Sequence, residues 1–123
     1  MKNLLLLLSL FSLIACQNKE EKKPTTIVDE TATKVSGKEL FEGEGNCIAC
    51  HKPDQKIIGP SLKDIAKIYK AKKGSLVLFL QEKSQPLVDP NQYDIMKANF
   101  AITKSMSEEQ LKALQDYIFS FSK

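Results

Sequence analysis

The sequence predicts an all-α domain over residues 36–123, and three observations support this fold class. Ser36 and Ser107 each begin a segment in which a glutamate or glutamine follows three residues later, a pattern that starts helices. Apolar residues near the carboxyl terminus recur at the helical period, namely Leu111, Leu114, Ile118 and Phe121. No β-rich alternating run precedes Cys47, so nothing there favours a strand.

The first predicted helix begins at a capping box formed by Ser36 and Glu39 and runs to about Gly43 or Glu44. Residues 42–46 are rich in glycine and glutamate and separate this helix from the first cysteine of the domain. We therefore expect a loop between the two.

Two more helices are predicted in the middle of the chain. Ser61 caps the first of them, which has an apolar face and a lysine face at the helical period. The apolar face consists of Leu62, Ile65, Ala66 and Tyr69, and the lysine face of Lys63, Lys67 and Lys70. This helix is predicted to end with Gly74 in the C-cap position, and residues 76–82 form the next helix.

The last helix is predicted to begin with a second capping box, formed by Ser107 and Gln110. Met106 lies directly ahead of this box and is expected to pack on Leu111 as a hydrophobic staple. Met106 therefore has a structural role to fill.

Composition excludes a nucleic-acid-binding protein. The 123-residue chain has 18 basic residues, all lysine, against 15 acidic ones, so the net charge is only +3. So small an excess of positive charge does not provide the strongly basic surface that binding to nucleic acid requires. The three cysteines are an odd number, so at least one of them has a role other than an internal disulfide.

Residues 1–15 have the layout of a secretory signal. Lys2 provides a positive start, and residues 4–15 are an uncharged apolar run, shorter than the about 20 residues that span a bilayer. The run ends in Leu-Ile-Ala before Cys16, which resembles a bacterial lipoprotein signal. The resemblance implies that Cys16 is lipidated and becomes the new amino terminus. A plain signal peptide with an incidental cysteine is the alternative.

Residues 16–35 are predicted to be a lipidated flexible tether, because they are polar and have no apolar period long enough for a packed element. Lys19, Glu20 and Glu21 resemble a short signal that directs lipoproteins of some Gram-negative lineages to the cell surface. A merely solvated charged linker accounts for the same residues.

Cys47, Cys50 and His51 form the C-x-x-C-H pattern at which haem becomes covalently attached. Two thiols three positions apart can each form a thioether to one porphyrin, and the adjacent imidazole can reach its iron. A zinc site would be short of ligands in this chain. A thioredoxin-like dithiol would need strands around the motif, and a structural disulfide would leave His51 without a role. The single motif predicts one haem.

Residues 36–123 resemble the class I cytochromes c in this motif and in their helix pattern. The resemblance implies a fold in which the first and last helices cross, while shorter helices and loops wrap around one covalent haem. The positions that meet at this crossing are matched by Gly37, Phe41, Leu114 and Tyr117. The resemblance also implies that Pro60, in a Gly-Pro-x-Leu element, presents its carbonyl to the Nδ1–H of His51. A covalently held haem would stabilise so small a domain.

Met96 is the expected sixth ligand of the iron. Outside the signal, Met96 and Met106 are the only thioethers, and Met106 already has a role as a staple. Class I cytochromes c place their axial methionine ahead of the last helix, where Met96 lies. The proline that often accompanies that methionine is absent here. Met106 as ligand, or an open sixth site, are the alternatives.

The resemblance implies a membrane-anchored carrier of single electrons between redox proteins of the bacterial cell envelope, and not an enzyme. Ligation by His51 and Met96 would raise the reduction potential. A haem-based gas sensor or a peroxidase-like enzyme with an open sixth site is the alternative from another class, and an accessory subunit of an oxidase or reductase is a third.

A group of lysines could form a docking face for an acidic redox partner, or could simply be solvated. This group comprises Lys63, Lys67, Lys70, Lys72 and Lys73. The haem domain is expected outside the cytoplasm, on the periplasmic side of a membrane or at the cell surface.

Overall fold

The computed structural model describes residues 35–123. The expectations for the signal peptide, for Cys16 and for the tether ahead of Val35 lie outside the described residues. The helices of this part are α1 (Gly37–Glu42), α2 (Leu62–Ala71), α3 (Leu76–Leu80), α4 (Tyr93–Lys97), α5 (Phe100–Thr103) and α6 (Glu108–Phe119). Within residues 35–123 there is no strand, only an isolated bridge between His51 and Lys56. The all-α fold class is confirmed.

Both expected capping boxes are present. At the start of α1, the Ser36 hydroxyl accepts a bond of 3.2 Å from the Glu39 N–H, and the Glu39 carboxylate accepts one of 2.9 Å from the Ser36 N–H. At the start of α6, Ser107 and Gln110 make the same exchange at 3.2 and 2.8 Å. These bonds satisfy N–H groups that the first turn of a helix leaves unpaired. The first helix ends at Glu42, with Gly43 as its C-cap.

α1 and α6 cross in close contact. A Cβ on Gly37 would lie 2.0 Å from the carbonyl oxygen of Ala113, so only glycine allows the two backbones to approach this closely. One turn further along, the rings of Phe41 and Tyr117 lie 5.5 Å apart between centroids. Leu114 is fully buried beside them. The crossing expected from the sequence is therefore present.

The end of α2 differs from the sequence-based expectation. The C-cap is Lys72 and not Gly74. The next residue, Lys73, takes the left-handed conformation, with φ of 52°. Its N–H donates to the Lys70 carbonyl at 3.2 Å, and the Gly74 N–H donates to the Tyr69 carbonyl at 2.9 Å, which together form a Schellman ending. Position 74 has little room for a side chain, because a Cβ there would lie 2.3 Å from a methyl group of Leu87.

α3 is shorter than the predicted span of residues 76–82 and ends at Leu80. Glu82 has φ of 59°, and its N–H donates to the Phe79 carbonyl at 2.8 Å. This left-handed residue turns the chain away from the helix axis. The sequence pattern does not predict α4 and α5, which occupy the connection to the last helix.

One buried core is formed by α1, α2, α3 and α6. Its fully or nearly fully buried members are Leu40, Phe41, Cys47, Leu62, Ile65, Tyr69, Leu76, Leu80, Met106, Leu111, Leu114 and Ile118. Met106 is 6% exposed and shares this cluster with Leu111, as a hydrophobic staple requires. No helix among residues 35–123 is both long enough and apolar enough to cross a membrane.

Candidate functional site

An apolar cavity of about 380 Å³ opens between the core and the segment that contains α4. The residues that line it include Cys47, Cys50, His51, Pro60 and Met96. Apolar side chains of α2 and α3 form much of the remaining wall, among them Leu62, Ile65, Phe79 and Leu80. Such a cavity, with few polar groups, is typical of a site for a cofactor or small molecule.

Cys47 and Cys50 reach the cavity from a 3-10 turn at Cys47–Ala49. The turn is closed by the N–H groups of Cys50 and His51, which donate to the Cys47 carbonyl at 3.1 and 2.9 Å. Both thiols are free, so no disulfide joins them. Burial raises the pKa of the Cys47 thiol to about 11. Cys47 is therefore a neutral thiol in this environment, and Cys50 is half-buried.

His51 is oriented by the two residues that precede Ser61. Its Nδ1 lies 2.7 Å from the Pro60 carbonyl oxygen, which can only accept, so Nδ1 carries the proton and Nε2 keeps a free lone pair. Burial lowers the pKa of His51, and the bond to Pro60 opposes this shift in part. The imidazole is therefore held neutral in one tautomer, the form that ligates a metal.

Gly59 has a role that the sequence reasoning missed. A Cβ at this position would lie 2.4 Å from His51 Cε1 and less than 3 Å from both ring nitrogens. The Gly59 N–H donates to the Cys50 carbonyl at 2.8 Å, which fixes the loop under the ring. The signal that could have found it is a glycine directly before the proline that holds the histidine.

The two methionines lie in different environments. Met96 lies in α4, is half-buried and lines the cavity that His51 also lines. Met106 is buried in the core and is not among the residues that line the cavity. Of these two thioethers, the structure therefore brings Met96 to the cavity.

The residues present fit a covalently held haem. Two thiols, an imidazole with a free Nε2 and a thioether line a cavity whose other walls are largely apolar. The buried Tyr69 hydroxyl has no hydrogen-bond partner in the described part of the chain, and burial raises its pKa. Such an orphaned group is costly unless something further satisfies it. Within residues 35–123, there is no cluster of three or more His, Cys, Asp or Glu residues that could hold a metal ion.

Two of the five lysines in the lysine group donate hydrogen bonds to other parts of the fold. The Lys70 ammonium donates to the Phe119 carbonyl at 3.1 Å and to the Ser122 hydroxyl, and the Lys72 ammonium donates to the Leu87 carbonyl at 3.3 Å. These two lysines therefore act as hydrogen-bond donors to backbone carbonyl groups. All five lysines of the group are exposed.

An all-α domain with thiols, imidazole and thioether around one apolar cavity belongs to the class of proteins that carry a covalently bound haem. A family model described as Cytochrome c matches residues 35–122, more than half of the chain. The chain therefore belongs to the cytochrome c family and carries haem c, with a role in haem-based electron transfer. No curated protein matches it significantly.

Proposed function

We propose that Cys47 and Cys50 hold one haem c through thioethers, that His51 and Met96 are its axial ligands, and that the protein carries single electrons between redox proteins of the cell envelope. The observation that supports this proposal best is that both thiols, the His51 ring and the Met96 side chain line a single apolar cavity.

The bound haem iron supplies a one-electron change between its ferric and ferrous states. His51 offers Nε2, because Pro60 holds the proton on Nδ1. Met96 offers a soft sulfur, which favours the reduced state and raises the potential. The apolar walls exclude water, so that little has to reorganise when the charge changes.

The attachment test uses the three cysteines of the chain. We expect that haem stays with the denatured wild-type protein, as measured by protein mass, and that Cys47→Ala and Cys50→Ala each remove one thioether. Cys16→Ser is the matched control and should keep the haem. If haem leaves the denatured wild type, covalent attachment at the motif is wrong.

The same Cys16→Ser variant tests the anchor. We propose that residues 1–15 are a lipoprotein signal and that a lipid on Cys16 tethers the domain through residues 16–35 to a membrane, outside the cytoplasm. More than one acyl chain gives a stable hold. The variant should move from the detergent-extracted membrane fraction to the soluble fraction. Wild-type protein that is soluble and without a lipid mass would refute the anchor.

The partners are proposed to be an electron donor and an electron acceptor that are themselves redox proteins. All five lysines of the group are exposed, but the ammonium groups of Lys70 and Lys72 bind backbone carbonyls. The proposed docking face therefore consists of Lys63, Lys67 and Lys73. Lys63→Glu with Lys67→Glu should slow association with an acidic redox partner at low salt but not at high salt. Lys112→Glu, on α6, is the control. If both variants associate with the partner at the same rate, these lysines are solvated and do not form a docking face.

A gas sensor or peroxidase-like enzyme would require an open sixth site. A ferric wild-type protein that binds cyanide or azide as fast as Met96→Ala would favour that second function. Slow binding in the wild type and fast binding in the variant would favour the electron carrier.

A further inference from the structure

The two axial ligands proposed above come from segments far apart in the sequence. We define residues 47–60 as the histidine loop and residues 86–99 as the methionine segment. His51 and its holding residues Gly59 and Pro60 lie in the first, and Met96 lies in the second. Residues of both segments line the same cavity. What holds them together therefore decides whether Met96 stays within reach of the iron.

α4, the part of the methionine segment that contains Met96, is weakly held by its own structure. It has only five residues, no side-chain hydrogen bond at its N-cap and no fully buried residue. A helix this short has little stability of its own and depends on tertiary contacts. The next residue with complete burial is Phe100, after the segment ends.

An ion pair joins the two segments ahead of α4. The Lys56 ammonium of the histidine loop lies 2.6 Å from the Asp89 carboxylate of the methionine segment. The Asp89 side chain is 19% exposed and the Lys56 side chain 55% exposed, and Asp89 also lines the cavity. The pair therefore lies where the cavity meets solvent.

The position of Lys56 connects this pair to the histidine side of the site. The backbone of Lys56 forms the isolated bridge with His51 itself. At its other end, the methionine segment is joined to the residues before the loop by the Asn99 amide, which donates to the Gly45 carbonyl at 3.0 Å. Ahead of Met96, the segment also accepts a hydrogen bond of 3.3 Å at the Leu87 carbonyl from the ammonium of Lys72, the C-cap of α2. The ion pair is the link that joins the segment to the histidine loop.

We propose that Lys56 and Asp89 are positioning residues, which keep the methionine segment against the cavity and so slow the replacement of Met96 by an external ligand. This inference rests on the proposed ligation by Met96. Because Lys56 is exposed, salt screens the pair and weakens it. The expected gain in the rate of ligand entry on breaking it is about two- to five-fold, the range that a partly exposed ion pair supports.

The test measures how fast imidazole replaces the sixth ligand in the ferric, haem-loaded full chain, followed by loss of the sulfur-to-iron absorption band. Lys56→Gln and Asp89→Asn should each accelerate replacement at low salt and lose this difference at high salt. The reversed pair, Lys56→Asp with Asp89→Lys, should restore a rate near that of the wild type.

Lys104→Gln is the matched control. Lys104 forms an ion pair of similar length, 2.7 Å, with Glu82, whose side chain is 37% exposed, and this pair does not reach the histidine loop. It should leave the rate of replacement unchanged. Unfolding by denaturant is measured for every variant, so that a general loss of stability is recognised.

The measured rates of imidazole replacement decide whether Lys56 and Asp89 have this positioning role. If Lys56→Gln accelerates replacement no more than Lys104→Gln, or if the rates follow global stability alone, the positioning role is wrong. If both single variants accelerate replacement and the reversed pair does not slow it again, the effect belongs to the residues separately and the pair is refuted. If the wild type lacks the band, the ligation by Met96 fails instead, which is a different outcome.

Discussion

Replacing Gly59 by alanine should displace the ring of His51, the proposed iron ligand, although His51 itself is not substituted. The new Cβ would lie 2.4 Å from His51 Cε1, 2.8 Å from Nδ1 and 2.9 Å from Nε2. Ordinary carbon contacts begin near about 3.5 Å, so the ring or the loop has to move by about 1 Å. The ring is rigid and is held by Pro60, so the strain has no flexible side chain to absorb it.

The size of the effect follows from two contributions. Overpacking of a tight contact costs about 1–3 kcal/mol. A displacement of about 1 Å also breaks the 2.7 Å bond from His51 Nδ1 to the Pro60 carbonyl, which is worth about 0.5–1.5 kcal/mol. Gly59→Ala should therefore lower the free energy of unfolding of the haem-loaded protein by about 2–4 kcal/mol.

The reduction potential gives a second readout. Loss of the Nδ1–H bond makes the imidazole a weaker donor, so the ferric state loses stabilisation and the potential should rise. Gly74→Ala is the control, because its Cβ meets the end of the flexible Leu87 side chain at 2.3 Å. That variant should lose less stability and keep the potential. If Gly59→Ala matches the wild type in both measurements, or if the two variants behave alike, the reasoning about Gly59 is refuted.

Three further predictions concern the helices. Gly37→Ala should cost about 2–3 kcal/mol in a denaturant titration, because the Cβ would lie 2.0 Å from the backbone oxygen of Ala113; an unchanged midpoint would contradict the close crossing. Met106→Ala should lower the free energy of unfolding by about 2–5 kcal/mol, because Met106 is buried in the core, but it should keep the sulfur-to-iron band. Loss of the band in this variant would show that Met106 is the iron ligand. The pKa of Glu39 is lowered by its bond from the Ser36 N–H, so its stabilisation is present above the ordinary carboxyl pKa and disappears as the pH falls through the lowered value. Glu39→Gln should make the melting temperature depend less on acid pH, and an identical pH profile would show that the capping carboxylate is irrelevant.

The local parts of the fold could be predicted from the sequence, because their signals are short-range. A serine with a glutamate three residues later specifies both bonds of the α1 cap, and the structure has them. The prediction of Gly74 as the C-cap of α2 was wrong, because the C-cap is Lys72. The helix ends too early for the glycine to follow it directly, and Lys73 adopts the left-handed conformation that usually favours glycine.

The parts of the site that could not be predicted depend on residues distant in the sequence. The ion pair of Lys56 and Asp89 spans 33 residues, and neither residue belongs to a motif. The lysine group was chosen from the sequence by charge alone, and two of its five lysines donate to carbonyl oxygens elsewhere in the fold. The cysteine motif and the proline that holds the histidine lie within one short stretch, which is why the pattern was sufficient to find them.

The optical spectrum of the ferric protein is the most direct test of the proposed iron ligation by Met96. We expect a weak long-wavelength sulfur-to-iron charge-transfer band in the wild type and in Met106→Ala. The band should be absent in Met96→Ala, which should also have a lower reduction potential. Ligation by Met96 is contradicted if the wild type has no such band, or if the band survives in Met96→Ala. In either case the sixth site is open or otherwise ligated, and the sensor or enzyme becomes the better description.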